Sequence, residues 1–312
     1  MVICEFLKNK KMIRPHFLKT GDKVAIVSPS GAIDPELIDG AADLLKSWGF
    51  CPVLGKYAKG RCGRFSGTDE QRLSDLQWAM DDPSIRAILC GRGGYGTVRI
   101  VDKLDFSKFA ESPKWMIGFS DITILHWAFC AHGFQSLHAV MAKAMCHYET
   151  NMGSVEAMRE ILMGDMSEIY NMPSHKLNRN GQASGTLFGG NLSVLYGLRG
   201  TSIDVAQKGG ILFIEDLAER PYHIDRMMQN LRLSGVLDNI SGLIVGRFSD
   251  IEEDPLFFGK TVEEIIASAV EGHDYPVLFG FPVGHEDINV PLVHGANISV
   301  SVSDEGSEVR YL

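Results

Sequence analysis

The feature that most constrains the fold is an alternation in the first half of the chain. Short apolar runs at residues 24–28, 86–90 and 115–119 are each followed by a longer amphipathic stretch, at 35–48, 97–104 and 122–129. Runs that short suit strands buried on both faces, and apolar residues recurring every three or four positions suit helices that cover a sheet. Repeated in this order they predict βαβ units: an α/β fold with a mostly parallel sheet, helices on both faces, and ligands at the carboxyl ends of the strands. Thr68-Asp69-Glu70-Gln71 ahead of Leu73, Leu76, Ala79 and Met80 predicts a helix opened by a capping box. Residues 164–185 then turn polar and irregular, with Asn171, Pro173, Asn178, Asn180 and Gly181, as an inter-domain connection would. The expected division is a first domain over 13–165, a linker over 166–184 and a second domain over 185–312. The second domain is read with strands at 211–214, 242–245 and 298–302 and helices at 191–198, 221–233 and 261–270. Pro221 and Gly235 punctuate the middle helix at its start and end.

A chain of 312 residues with a formal net charge of −9 can bury a large core, but it lacks the basic excess that a nucleic-acid or anionic membrane surface requires. A soluble enzyme with a small substrate fits better. Cys4, Cys51, Cys62, Cys90, Cys130 and Cys146 form no C-x-x-C pair and read as scattered, reduced core thiols, which favours the cytoplasm. Lys8, Lys10 and Lys11 precede no apolar run long enough for a signal-peptide core, so neither secretion nor membrane insertion is expected. Met12 is an alternative start, which would make the preceding residues a poorly ordered extension.

Ser120 closes the apolar run Trp115-Met116-Ile117-Gly118-Phe119 just where a helical pattern begins. A serine at such a corner can be a nucleophile with the next N–H at a helix start, or simply an N-cap. Cys90-Gly91-Arg92-Gly93-Gly94-Tyr95-Gly96 formally satisfies G-x-G-x-x-G, yet it does not belong to the first strand of its unit and no acidic residue closes the next strand. A dinucleotide site is therefore the weakest of three readings. The others are bare backbone N–H groups that face a ligand, and a tight turn. Glu215 and Asp216 end an apolar run, where acids often only mark the exit into solvent, and His285 lies in the Pro/Gly loop Phe281-Pro282-Val283-Gly284. Neither His285 nor His294 has partners at metal-ligand spacing, so no metal is expected. Ser120, Glu215 and His285 together supply a nucleophile, a general base and a carboxylate to orient it. The nucleophile lacks G-x-S-x-G, so this is not an α/β-hydrolase elbow.

These residues resemble the LD-carboxypeptidase family of serine peptidases, which also contains the microcin C self-immunity hydrolases. The likeness starts at Val24-Ala25-Ile26-Val27-Ser28-Pro29-Ser30-Gly31 and passes through Arg92-Gly93-Gly94-Tyr95-Gly96, Ile117-Gly118-Phe119-Ser120-Asp121 and Gly189-Gly190-Asn191-Leu192. It ends with Ile214-Glu215-Asp216, Pro221-Tyr222-His223-Ile224-Asp225-Arg226 and Gly284-His285. The resemblance implies a Rossmann-like N-terminal domain and a smaller C-terminal α/β domain, with the active site in the cleft between them. It implies Ser120 as nucleophile, His285 as general base, Glu215 as its orienting carboxylate, and an oxyanion hole from the N–H groups of Asp121 and the Gly93–Gly94 turn. It further implies a homodimer without cofactor or metal that removes the terminal D-alanine of murein tetrapeptides in the cytoplasm during peptidoglycan recycling. The acids after His285, Glu286 and Asp287, depart from the family pattern.

Substrate-binding candidates are Arg92 and Arg247, whose guanidinium groups suit a carboxylate but also surface ion pairs. Tyr95 and Asn191 complete the set, with a helix cap as the alternative for Asn191. Two other functions stay open: a microcin-type hydrolase using the same triad on a peptide-nucleotide or acyl-sulfamoyl adenylate, and a non-catalytic two-domain clamp for a small ligand.

Overall fold

The computed structural model describes residues 12–167, 169–204, 208–252 and 256–312. Cys4, Lys8, Lys10 and Lys11 lie outside the described residues. The chain divides into two compact units, residues 1–165 with 290–293, and 166–289 with 294–312.

The first unit holds β1 (Lys23–Val27), α1 (Pro35–Ser47), β2 (Cys51–Leu54), α2 (Asp69–Asp81), β3 (Ile85–Cys90), α3 (Ser107–Glu111) and β4 (Trp115–Gly118). It continues with α4 (Thr123–Ala131), β5 (Ser136–His138), α5 (Ala142–Met145) and α6 (Tyr148–Met163). The pairings β1–β2, β1–β3, β3–β4 and β4–β5 are all parallel. The strand order β2-β1-β3-β4-β5 is the flavodoxin-like form of a doubly wound sheet, whose switch point lies between β1 and β3. In α1 the residues Ile38, Ala41, Ala42 and Leu45 are buried, the spacing of one helical stripe. Removing the Leu45 side chain from water contributes about 1.5–3 kcal/mol. The capping box opening α2 is present, Thr68 accepting from the Gln71 N–H while Gln71 accepts from Thr68 N. Residues 97–104, read as a helix, form two short 3₁₀ turns, Thr97–Arg99 and Val101–Lys103. Thr97, Val98, Ile100 and Val101 are β-branched and poor in a helix, and Val98 is exposed rather than part of a buried stripe.

The second unit contains β6 (Ile169–Met172), β7 (Gly181–Asn191), α7 (Leu192–Leu198), β8 (Ile211–Leu217), α8 (Pro221–Leu233), α9 (Val236–Asn239) and β9 (Gly242–Ser249). It closes with α10 (Val262–Ala269), β10 (Val277–Phe279), β12 (Asn297–Val302) and β13 (Ser307–Tyr311), whereas β11 (Leu292–His294) is the edge strand of the first unit's sheet. The second sheet runs β10-β9-β8-β7-β12-β13-β6. The length of β7 explains its mixed character: residues 187–191 pair parallel with β8, and residues 181–186 pair antiparallel with β12. Residues 166–184 are thus not a linker, since they carry β6 and the start of β7. Only Tyr170 of β6 is buried, so this edge strand, antiparallel to β13, has the composition of a loop.

The cysteines are also less uniform than expected. Cys90 and Cys130 are buried and Cys146 is half-buried, but Cys51 and Cys62 are exposed. Among the described residues, no helix is long and apolar enough to cross a membrane.

Candidate active site

In the first unit, Ser120 follows β4 and opens a 3₁₀ turn, Ser120–Ile122, that feeds directly into α4. Its φ of 65° lies in the left-handed region. For a residue with a Cβ that conformation costs about 1–3 kcal/mol and persists only where the surroundings over-determine it. Ser120 is half-buried, so the corner presents its hydroxyl while Phe119 behind it stays extended.

The glycine turn packs against this corner. A Cβ placed on Gly93 would lie 2.8 Å from Ser120 Cβ, 2.9 Å from its Oγ and 3.3 Å from the Asp121 backbone nitrogen. Only a residue without a side chain fits there. Gly94, with φ 107°, reverses the chain in a way that only glycine adopts at little cost. The structure thus brings Ser120, the Asp121 N–H and the Gly93–Gly94 turn together, and backbone donors beside a hydroxyl can stabilise a developing oxyanion. Arg92, half-buried, donates from Nη1 to the Ala32 carbonyl at 3.3 Å. Tyr95 is 44% exposed, with its ring centroid 6.2 Å from that of Phe65 and 5.3 Å from the Arg64 guanidinium carbon.

In the second unit, His285 Nδ1–H donates to Glu215 Oε2 at 2.7 Å. Glu215 is fully buried at a register shift of β8, between Ile214 and Asp216, which turns two consecutive acids inward. Its Oε1 is buried without a hydrogen-bond partner among the described residues, so the His285 contact is the main outlet for the carboxylate's charge. Gly284, φ 144°, brings the histidine loop up to the strand: a Cβ there would sit 3.1 Å from the Arg247 carbonyl and 3.5 Å from Glu215 Cβ. Asn289 Oδ1 accepts from Gly284 N at 3.1 Å and closes that loop. Burial lowers the His285 pKa, but the hydrogen bond and charge of Glu215, with Asp216 and Asp250 adding, outweigh it and the net shift is upward. Holding Nδ1–H in this way leaves Nε2 as the basic nitrogen.

Asn191 serves as the cap of α7. Its Oδ1 accepts from the Val194 N–H at 3.2 Å, and its Nδ2 donates to Asp216 Oδ1 at 2.8 Å. Arg247 pairs with Glu286 at 3.4 Å, the two half-exposed. Asp216 itself is a residue whose importance the sequence reading passed over. It is almost fully buried, and its Oδ2 accepts from the Ser193 N–H at 2.8 Å. Burial, then the neighbouring Glu215 charge, push it up to about 7. A second acid directly after Glu215 at the end of an apolar run was the available signal. Among the described residues, no three or more His, Cys, Asp and Glu cluster as a metal would require.

Two family models match this chain: the LD-carboxypeptidase N-terminal domain over residues 24–139 and the LD-carboxypeptidase C-terminal domain over residues 184–300. A relative from Bacillus subtilis named "Probable murein peptide carboxypeptidase" is 33% identical, over 95% of this chain and 94% of its own length. The murein tetrapeptide carboxypeptidase of Pseudomonas aeruginosa is 29% identical, over 93% of this chain and 95% of its own. The crystal structure of muramoyltetrapeptide carboxypeptidase from Oxalobacter formigenes superposes with a TM-score of 0.85 at 29% identity, covering 93% of this chain and 98% of that one. The microcin C7 self immunity protein MccF shares the fold, with a TM-score of 0.84 at 22% identity over 96% of this chain and 98% of that one. The chain belongs to the LD-carboxypeptidase family of peptidases.

Proposed function

We propose that this protein is a serine LD-carboxypeptidase that removes the terminal D-alanine of murein tetrapeptides, working without a metal. The reading places it in the cytoplasm, in peptidoglycan recycling, as a homodimer. The observation that carries it is the buried Glu215–His285 hydrogen bond, because a carboxylate withdrawn from water and spent on one imidazole nitrogen is what a serine nucleophile's base needs.

In this mechanism His285 Nε2 takes the Ser120 Oγ proton as the oxygen attacks the carbonyl preceding D-alanine. The oxyanion that forms is held by the N–H groups of Asp121 and the Gly93–Gly94 turn. The imidazolium, stabilised by Glu215, then protonates the departing amine of D-alanine, and water activated by the same histidine releases the acyl group from Ser120. Arg92, adjacent to Gly93 in the same turn, is assigned to the substrate's terminal carboxylate, since a guanidinium can grip it through two hydrogen bonds. Arg247 and Asn191 are assigned supporting roles through Glu286 and Asp216 respectively, and Tyr95 an exposed contact to the peptide.

The test is mass-spectrometric detection of D-alanine released from a murein tetrapeptide, with wild type and Ser120→Ala, each with a chelator present. Release by the wild type alone supports the reading. Hydrolysis of an aminoacyl-sulfamoyl adenosine in place of the tetrapeptide would move the substrate to the microcin-type alternative while leaving Ser120 in its role.

A further inference from the structure

A serine held at φ 65° with a glycine turn packed on its side chain requires something that ties the turn and the corner together. The tie is the Asp121 side chain. Asp121 Oδ2 accepts from the Ser30 hydroxyl at 2.5 Å and from the Thr97 N–H at 2.9 Å. All three residues are buried. Ser30 lies in the loop after β1, Thr97 directly follows the glycine turn after β3, and Asp121 follows β4, so one oxygen joins the loops at the carboxyl ends of three neighbouring parallel strands.

Two further links brace the same junction. The Gly31 N–H donates to the Gly93 carbonyl at 3.1 Å, which fixes the turn against the β1 loop. The fully buried Arg72 guanidinium donates from Nη1 to the carbonyls of Pro29 and Gly96, the latter at 2.9 Å. Arg72 thus fastens the turn from beneath, but only Asp121 is covalently attached to the serine.

We infer that the Asp121 carboxylate is a positioning residue, setting the spacing between its own backbone N–H, Ser120 Oγ and the Gly93–Gly94 turn before substrate arrives. This rests on the proposed serine mechanism, in which only the backbone of Asp121 has a part. Preorganised donors are worth most when they need not move as the oxyanion forms. Without the carboxylate, the corner loses the hydrogen bond from the Thr97 N–H that ties it to the turn.

The experiment compares wild type, Asp121→Ala, Asp121→Asn, Ser30→Ala and Ser120→Ala for kcat and KM of D-alanine release. It also measures inhibition by a peptide aldehyde, which forms a tetrahedral adduct, and binding of the tripeptide product. Asp121→Ala is expected to lose about 100-fold in kcat with KM within about threefold, and to lose aldehyde affinity in step while product affinity stays near wild type. Asp121→Asn keeps an oxygen able to accept both donors and is expected to recover most of the loss. Ser30→Ala removes one of the two bonds without touching Asp121, so it reports even if Asp121→Ala does not fold; about a tenfold loss in kcat is expected. Wild-type kcat in Ser30→Ala or Asp121→Ala overturns the inference and leaves the nucleophile in place. Equal losses of aldehyde and product affinity also overturn it, because a general structural role predicts that pattern. A Ser120→Ala enzyme within about tenfold of the wild-type kcat overturns the serine mechanism and this inference with it.

Discussion

Gly93→Ala adds one methyl group at the place where the glycine turn meets the nucleophile. That methyl would sit 2.8 Å from Ser120 Cβ and 2.9 Å from its Oγ, whereas carbon atoms rest at roughly 3.5–4.0 Å. The serine side chain or the turn must therefore shift by about 1 Å. Gly93 is not among the glycines with positive φ, so its backbone accepts alanine and the strain falls on the contact. Misplacing a reacting group by about 1 Å costs on the order of 100-fold in rate. The same methyl stands 3.3 Å from the Asp121 nitrogen and crowds an oxyanion donor, whose loss costs about 100- to 1,000-fold. The expected result is a fall of at least 100-fold in kcat for D-alanine release. Overpacking should cost only about 1–3 kcal/mol of stability, read from urea denaturation. Gly153→Ala is the control: nothing lies within 4 Å of its Cβ, its place inside α6 favours alanine, and its activity should match wild type. A Gly93→Ala enzyme with kcat within threefold of wild type would refute the placement of the turn over Ser120.

Glu215→Gln should lower kcat by about 10⁴-fold, the scale seen when a buried triad acid becomes an amide. Because Glu215 holds the His285 pKa above its ordinary value against burial, its loss should also move the acid limb of the kcat/KM profile to lower pH; an unmoved limb would argue that His285 is not the group titrating. Asp216, raised to about 7 in the folded protein, loses its proton at much lower pH when unfolded. The unfolded chain then binds fewer protons between about pH 4 and 7, and stability falls as pH rises through that window. His285, also raised and facing Glu215, Asp216 and Asp250, loses its stabilising charge in the same direction. Asp216→Asn should therefore flatten, without abolishing, the drop in Tm between about pH 5 and pH 8, and an unchanged slope would count against a buried acid at this site.

What could be read from the chain alone was mostly local. The α2 capping box, the apolar stripe of α1 and the punctuation of α8 by Pro221 and Gly235 depend on residues within a turn or two of each other, and the structure contains all of them. The Ser120 corner was legible for the same reason, as an apolar strand stopping at a serine. β6 was not, because its place depends on β13, more than a hundred residues away, and a single buried tyrosine leaves no alternation to see. Nor does anything in Val290-Pro291-Leu292-Val293 announce that this segment belongs with the first unit's sheet. The Glu215–His285 pairing was anticipated from the chemistry each residue could offer. The bulge that buries Asp216 beside Glu215 depends on the register between β8 and β9, which composition does not encode.

The central claim is that Ser120 and His285, which belong to different compact units, serve one reaction. A double-mutant cycle on D-alanine release measures that directly, with Ser120→Ala, His285→Ala and the combined variant assayed beside wild type. Members of one catalytic unit are strongly non-additive, so each single variant should lose about 10⁴- to 10⁶-fold and the double variant should lose no more than the worse single one. Losses that multiply in the double variant, or a Ser120→Ala enzyme within about tenfold of the wild-type rate, would contradict the account.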